Sequence, residues 1–547
     1  MKNVYLYFIF LTALITAFAP PTASSEEIMS TPSTAAPAET SDPISFSTSC
    51  SAPVQESFKR GVALLHAFAH EAAEQVFLAV AEADPDCAMA YWGAALSRYP
   101  LFGKADAKTL EKGLAFAEKA TNFPAKNARE SGYIAAVNAL YADFGTLDAP
   151  TRARAYEKAM AQLHHDFPED REAAVLYAFS LLASASSDDA HLTHQKAAEA
   201  ILISILQARP QHPGALHGLI HLYDSPDQAS KGLEYARAYM KIAPSTPHAL
   251  HIPAHIFTRL GLWEEAINSN LASEAAARSK MGRNSGARLH AMDNLVYAYL
   301  QSGEDQKAEA IVNEILAMPP SEAPNREAAY ARAAIPVRYV MERRLWTGAL
   351  TLRVRPNPHP YAEALSYFAY ALGGSRSRRP IEAAGAIEAI RSIPGRLRAS
   401  KDIEEAVYTE ALLQAAAGWI EYAEGKRDRA ILHLRAAAEI QERPETHSDF
   451  PNIILPAREM LADLLLEEGE PQEALTEYER SLLRAPNRFN TLYGAARAAE
   501  HSENIGKARD YYAQLVALAG KSKSREREML EANLFLKNAA IKMKTGD

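Results

Sequence analysis

The chain has 547 residues, of which 48% are apolar and 23% are charged, a composition typical of a soluble, folded protein. Its 58 basic and 67 acidic residues leave a formal net charge of −9. A protein that binds nucleic acid usually carries a basic surface, so this balance argues against a nucleic-acid partner.

The first 25 residues have the pattern of a secretory signal peptide. Lys2 precedes an uncharged run at 4–19, which is shorter than the roughly 20 residues of a membrane-spanning helix. Residues 26–48 are rich in Ser, Thr, Ala and Pro, which predicts a flexible tether. We therefore expect a bacterial periplasmic or secreted protein with no stable membrane insertion after cleavage. Pro20 and Pro21 disturb the cleavage site, so an uncleaved anchor is the alternative.

The sequence contains two cysteines, Cys50 and Cys87. Exported proteins fold in an oxidising environment where cysteine pairs form disulfides. We predict that Cys50 and Cys87 are joined, tying the segment before the first helix to the end of the first repeat. Two buried free thiols are the alternative.

A helical pattern begins near Phe58, and small residues then recur at a fixed interval. Ala198, Gly232 and Ala266 are each 34 residues apart, and near the carboxyl terminus Ala474 and Ala508 repeat the spacing. Thirty-four residues is the period of the tetratricopeptide repeat, a pair of antiparallel helices. The predicted fold is therefore all-α, a right-handed solenoid of such pairs.

The solenoid is expected in two parts. Residues 49–355 form the amino-terminal and central repeats, with a histidine-rich concave site at about 198–300. Residues 356–547 form the carboxyl-terminal repeats and end in a polar capping helix near 525–540, because a solenoid must cover its exposed end. A Pro- and Gly-containing stretch that includes Pro356 and Gly373 is expected to be the joint.

Histidines concentrate in the central repeats at repeating positions. His217 and His221 are four residues apart, His251 and His255 are four apart, and each pair lies 34 residues from the other. Residues four apart project from one face of a helix. Repeat phasing places both pairs on the concave surface, beside His248.

Paired imidazoles on adjacent helices predict a site for one transition-metal ion such as Zn, Cu or Fe. The predicted primary ligands are His217, His221, His251 and His255, and the reserve ligands or supporting residues are His248, His290 and Asp293. Asp224 and Tyr223 are expected to orient the ligands. A further pair, His66 and His70, is expected to cap or solvate a turn outside this site.

Two other functions fit the same pattern. The groove could bind a protein or peptide without metal, as helical-repeat grooves do, or the histidines could be a purely structural polar network. An enzyme is less expected: the chain lacks His-Glu-x-x-His, phosphate-loop, dinucleotide and Gly-x-Ser-x-Gly motifs. No catalytic or cofactor-binding residues are predicted beyond the metal ligands.

Several passages, among them "HPGALHGLIHLYD" and "IAPSTPHALHIPAHIFTRLGLW", resemble a family of exported bacterial tetratricopeptide-repeat proteins. The resemblance runs from Cys50 to about Ala519, and its most specific block holds His248, His251 and His255. It implies the helical repeat fold and export. It implies no particular biochemical activity, and a repeat fold by itself points to binding only by analogy.

Overall fold

The computed structural model describes residues 44–101, 105–123, 127–185, 191–242, 245–319, 325–354, 357–443, 453–520 and 522–545. These residues form helices and connecting turns, without a β-strand. The α-helices are α1 (Gln55–His66), α2 (His70–Ala83), α3 (Ala88–Leu96), α4 (Ala107–Asn122), α5 (Ala128–Tyr141), α6 (Ala149–Asp166), α7 (Arg171–Ser184), α8 (Thr193–Ala208), α9 (Pro213–Tyr223), α10 (Ala229–Ile242), α11 (Pro247–His251), α12 (Pro253–Arg259), α13 (Trp263–Met281), α14 (Gly286–Gln301), α15 (Asp305–Ala317), α16 (Arg326–Glu342), α17 (Trp346–Ala349), α18 (Pro360–Arg376), α19 (Pro380–Ala399), α20 (Ile403–Ala423), α21 (Arg427–Gln441), α22 (Ala457–Glu467), α23 (Pro471–Arg484), α24 (Phe489–His501), α25 (Ile505–Ala519) and α26 (Glu526–Thr545).

Short turns with a left-handed residue join the two helices of a pair. Gly261, Gly303, Gly425 and Gly469 occupy this position, with φ between 65° and 80°, a conformation that glycine adopts without steric cost. The small residues of the 34-residue pattern lie early in the second helix of each pair, and Ala266 and Ala308 are fully buried there. The predicted all-α solenoid of tetratricopeptide-like helix pairs is therefore confirmed.

The amino-terminal segment is packed from residue 44 onward. Ile44 and Phe46 are buried, and the Phe46 ring lies 5.2 Å from Phe58 and 5.1 Å from Tyr133, centroid to centroid. Residues 44–48 of the predicted tether thus belong to the fold, because Phe46 completes an aromatic core. The predicted signal peptide and residues 26–43 lie outside the described residues.

The predicted disulfide is present. The sulfur atoms of Cys50 and Cys87 lie 1.95 Å apart, joining the segment before α1 to the residue that precedes α3.

The solenoid curls back so that its carboxyl-terminal repeats pack on its central repeats. The indole Nε1 of Trp263 donates to the carbonyl of Asn487 over 2.7 Å, and Ser522 Oγ donates to the carbonyl of Gly303 over 2.6 Å. Both acceptor and donor pairs are more than 200 residues apart in sequence. The turns of the central pairs are therefore the surface on which the end of the chain closes.

Fully buried Arg488 fastens this closure. Its guanidinium donates to Glu342 over 2.8 Å, to Glu459 over 3.1 Å and to the hydroxyl of Tyr297 over 2.9 Å. Unpaired charges are costly to bury, and here one cation faces two carboxylates. The contact joins helices α14, α16 and α22 to the start of α24.

The expected two-part division stays a prediction, and the packing adds detail to it. Helix α16 contributes buried side chains to both large hydrophobic clusters. The expected joint is helical where Gly373 lies, inside α18. Helix α26 packs through Met529 and Ala532, but its outer face is less polar than expected, since Leu530 is 71% exposed. Within the described residues, no helix has the length and apolarity needed to cross a membrane.

Candidate metal centre

Four helices of the central repeats carry the candidate ligands. His217 and His221 lie on α9, His248 and His251 on α11, His255 on α12 and His290 on α14. Pro253 begins α12 directly after α11, because proline fits the first turn of a helix where no donor is required. As predicted, each four-residue pair shares a face: the Nε2 atoms are 3.1 Å apart in the first pair and 2.9 Å apart in the second.

The histidines form two groups of three, which corrects the prediction of one site with four primary ligands. The first histidine cluster consists of His217, His221 and His248, and the second consists of His251, His255 and His290. A histidine from the following helix of the stack completes each pair, since adjacent first helices pack side by side. His248 Nε2 lies 3.2 Å from His217 Nε2, and His290 Nε2 lies 3.0 Å from His251 Nε2.

In the first cluster the central imidazole is held by the backbone. His217 Nδ1 lies 2.5 Å from the carbonyl oxygen of His66, and a carbonyl can only accept, so Nδ1 carries the proton. The Nε2 of His217 is therefore a lone-pair donor that faces its two neighbours. The ring of Phe68 lies over all three imidazoles, at centroid distances of 4.4, 5.3 and 5.4 Å.

In the second cluster two imidazoles are held by side chains. His251 Nδ1 lies 2.7 Å from Asn270 Oδ1, and the amide nitrogen of Asn270 donates to the carbonyl of Ala266, which fixes the amide orientation. His255 Nδ1 lies 2.6 Å from Asp224 Oδ2. Both Nδ1 atoms therefore donate, and two Nε2 lone pairs converge at 2.9 Å. A proton or a metal cation must lie between them to offset their repulsion.

Burial keeps these imidazoles in the neutral form that binds metal. Burial is the main cause that holds the pKa values of His217, His248 and His251 well below the usual histidine range, and neighbouring imidazoles lower them further. Burial also lowers the pKa of His290, against the opposing negative charge of Glu327. Neutral imidazoles at neutral pH are competent ligands without loss of a proton.

Two of the predicted supporting residues have other partners. Both oxygens of buried Asp293 accept from Arg338, each over 3.0 Å, so the predicted ligand Asp293 does not belong to either cluster. The hydroxyl of Tyr223 donates to Glu199 over 2.6 Å and does not orient a ligand. Asp224 does contact His255 as expected, and its second oxygen accepts from Arg259 over 2.9 Å.

His66 is buried, contrary to the expectation that it caps or solvates a turn. Its Nε2 lies 2.5 Å from Glu172, and His212 Nε2 lies 3.4 Å from the other oxygen of the same carboxylate. Burial alone would raise the pKa of Glu172, but the charges and hydrogen bonds of His66 and His212 outweigh it and lower the pKa. Burial also lowers the pKa of His70 to about 4. The His66 group braces the carbonyl that holds His217.

The spacing within each cluster suits a small cation. An ion about 2.0–2.1 Å from each nitrogen of a tetrahedral site separates the nitrogens by about 3.3 Å. The printed Nε2 separations, 2.9–3.2 Å, need to widen by a few tenths of an ångström. Three imidazoles leave a fourth position for water or another ligand, as in open metal sites.

Sequence reasoning missed Phe68 and Asn270. Phe68 lies in a turn about 150 residues before the first cluster, and only the stacking of α1 on α9 brings it there. Asn270 is a fully buried amide on α13, and a polar residue at a core position of a helix was the available signal.

Comparison with known proteins gives no family for this chain. No protein-family model matches it, and no curated protein is similar in sequence. Solved structures of similar shape include the human IFIT1 dimer with m7Gppp-AAAA, at 12% identity and a TM-score of 0.35, covering 79% of this chain and 90% of that chain. The human IFIT1 dimer with PPP-AAAA has 12% identity and a TM-score of 0.34, covering 75% and 87%. Similarity at this level adds nothing to the helical fold described above.

Proposed function

We propose that this protein is an exported helical-repeat protein that binds transition-metal ions through its two histidine clusters. Copper and zinc are the ions best suited to sites built only of imidazoles, and the affinity order favours copper. Export is supported by the uncharged run after Lys2 and by the Cys50–Cys87 disulfide, since such bonds persist in oxidising compartments.

The observation that carries this proposal is the pair of facing lone pairs in the second cluster. Asn270 and Asp224 fix the protons of His251 and His255 on Nδ1, which directs both Nε2 atoms to one point. Metal-binding histidines characteristically donate their other N–H to an amide, carbonyl or carboxylate. A purely structural network would instead pair each N–H with an acceptor across the cluster.

The test is metal analysis of the exported, tag-free protein. We expect up to two equivalents of copper or zinc per chain after reconstitution and removal of loosely bound metal. The His217→Ala/His251→Ala variant should lose them, because it removes the central imidazole of each cluster. The half-buried positions in His221→Ala/His255→Ala provide a second variant if the first does not fold.

A matched control removes two histidines outside the clusters. His165 is exposed and His433 bonds to Gln414, so His165→Ala/His433→Ala should retain the full metal content. Retention of metal by the cluster variants, or absence of bound metal from the reconstituted wild type, would contradict the proposal. In the latter case a ligand groove without metal is the better account.

A further inference from the structure

The two clusters differ in what surrounds them. Around the first cluster, Phe68 covers the three imidazoles and the ring of Tyr239 stacks on His217 at 5.4 Å. The printed anchor of this cluster is the neutral carbonyl of His66. An ion bound there would lie among aromatic rings.

The second cluster is backed by carboxylate charge. Asp224 accepts directly from His255, and its other oxygen accepts from Arg259, whose side chain is 20% exposed to solvent. The charge of Glu327 also acts on His290. An ion bound at the second cluster would therefore lie one imidazole away from a negative charge.

Phe68 is placed over the first cluster at a conformational cost. It occupies the left-handed turn position, with φ of 51°, two residues after the end of α1. The equivalent position is glycine in four of the turns described above, and elsewhere it is a charged residue: Asp143, Arg344, Arg378, Lys401 or Glu503. A left-handed backbone costs a residue with a β-carbon roughly 1–2 kcal/mol. Strain of this kind at a site is a reason to look for a role of the side chain.

The charge of an ion decides how strongly these surroundings matter. The cost of bringing an ion into an apolar environment rises steeply with its charge, and three neutral imidazoles cancel none of that charge. An apolar shell therefore favours the lower oxidation state of a metal, whereas a carboxylate behind a ligand favours the higher one. Imidazole is a good ligand for copper in both states.

We propose that the two clusters select different charge states of copper: the Phe68-covered first cluster binds monovalent copper, and the Asp224-backed second cluster binds the divalent ion. This inference rests on the proposed metal-binding function. It adds that the protein holds two ions of unlike charge on neighbouring helices.

The test compares variants that retain one cluster each. His251→Ala/His290→Ala leaves the first cluster, and His217→Ala/His248→Ala leaves the second. Each full-length variant is loaded with one equivalent of copper and equilibrated with the same poised redox mediator. Paramagnetic resonance measures the divalent copper, and mass spectrometry measures the total. We expect the ratio of divalent to monovalent copper to be at least tenfold lower in the first cluster, equivalent to about 59 mV for one electron.

Phe68→Gly tests the cause without threatening the fold, because glycine suits the left-handed turn. In the variant that retains only the first cluster, it should raise the ratio of divalent to monovalent copper at least tenfold. Lys401→Gly makes the same backbone change in the turn between α19 and α20 and should leave the ratio unchanged.

The outcomes separate this inference from the proposed function. Equal ratios in the two single-cluster variants, a reversed order, or no effect of Phe68→Gly would overturn the charge selection while metal binding stands. Copper bound by the wild type but by neither variant would also overturn it, since the clusters would then act as one site. Wild-type protein that binds no copper and no zinc would overturn the proposed function itself.

Discussion

Replacing Asp224 by asparagine should weaken metal binding at the second cluster and leave the first unchanged. Asp224 is 6% exposed, and its two oxygens accept from His255 Nδ1 over 2.6 Å and from Arg259 over 2.9 Å. Asparagine has one acceptor and one donor in their place. If its NH2 faces His255, the imidazole must move its proton to Nε2 and cannot bind metal; if its NH2 faces Arg259, two donors oppose each other.

The magnitude follows from the loss of a charged partner behind a ligand. Removing such a partner typically lowers metal affinity about 10- to 100-fold, which corresponds to about 1.4–2.7 kcal/mol. Competition with a chromophoric chelator should show one of two equivalents displaced at a 10- to 100-fold lower chelator concentration. Asp463→Asn is the matched control, because Asp463 also pairs with an arginine, Arg344, at 2.9 Å. Equal weakening of both equivalents, or no weakening, would refute the reasoning.

Three further predictions concern the fold that holds the clusters. Arg488→Met leaves two buried carboxylates without their cation and should lower the free energy of unfolding by about 3–5 kcal/mol, with faster amide exchange in α24 and denaturant unfolding as the readouts; unchanged exchange would contradict the closure. Gly261→Ala adds a β-carbon 2.4 Å from the carbonyl oxygen of Pro486, whereas the same change at Gly425 meets no atom within 4 Å; both incur left-handed strain of roughly 1–2 kcal/mol, and Gly261→Ala should destabilise more. Glu172→Gln should destabilise the protein at neutral pH, but because the lowered pKa of Glu172 gives stability that is present above about pH 4.3 and declines below it, the difference from wild type in urea titrations should shrink as the pH falls below that value; a difference that is constant with pH would contradict the role of the charge.

The helical fold could be predicted because its determinants are local and repeat. Ala266 and Gly261 recur with a fixed spacing, and each acts within one helix pair, so a period in the sequence specifies the packing. The pairing of His217 with His221 followed from helix geometry in the same way.

The composition of each cluster depended on contacts between neighbouring pairs, which the period alone does not determine. His248 and His290 complete the clusters because they project across to the preceding helix, and the carbonyl of His66 holds His217 from 151 residues away. The capture of Asp293 by Arg338 likewise depends on α14 packing against α16. Closure through Trp263 and Asn487 joins residues 224 apart, where no repeat unit carries information about the other end of the chain.

Anomalous X-ray scattering from crystals loaded with copper tests the central claim most directly. The account predicts two peaks, one about 2.0–2.1 Å from the Nε2 atoms of His217, His221 and His248, and the other at the same distance from those of His251, His255 and His290. A single peak shared by His217, His221, His251 and His255, or peaks confined to surface histidines such as His165, would contradict it.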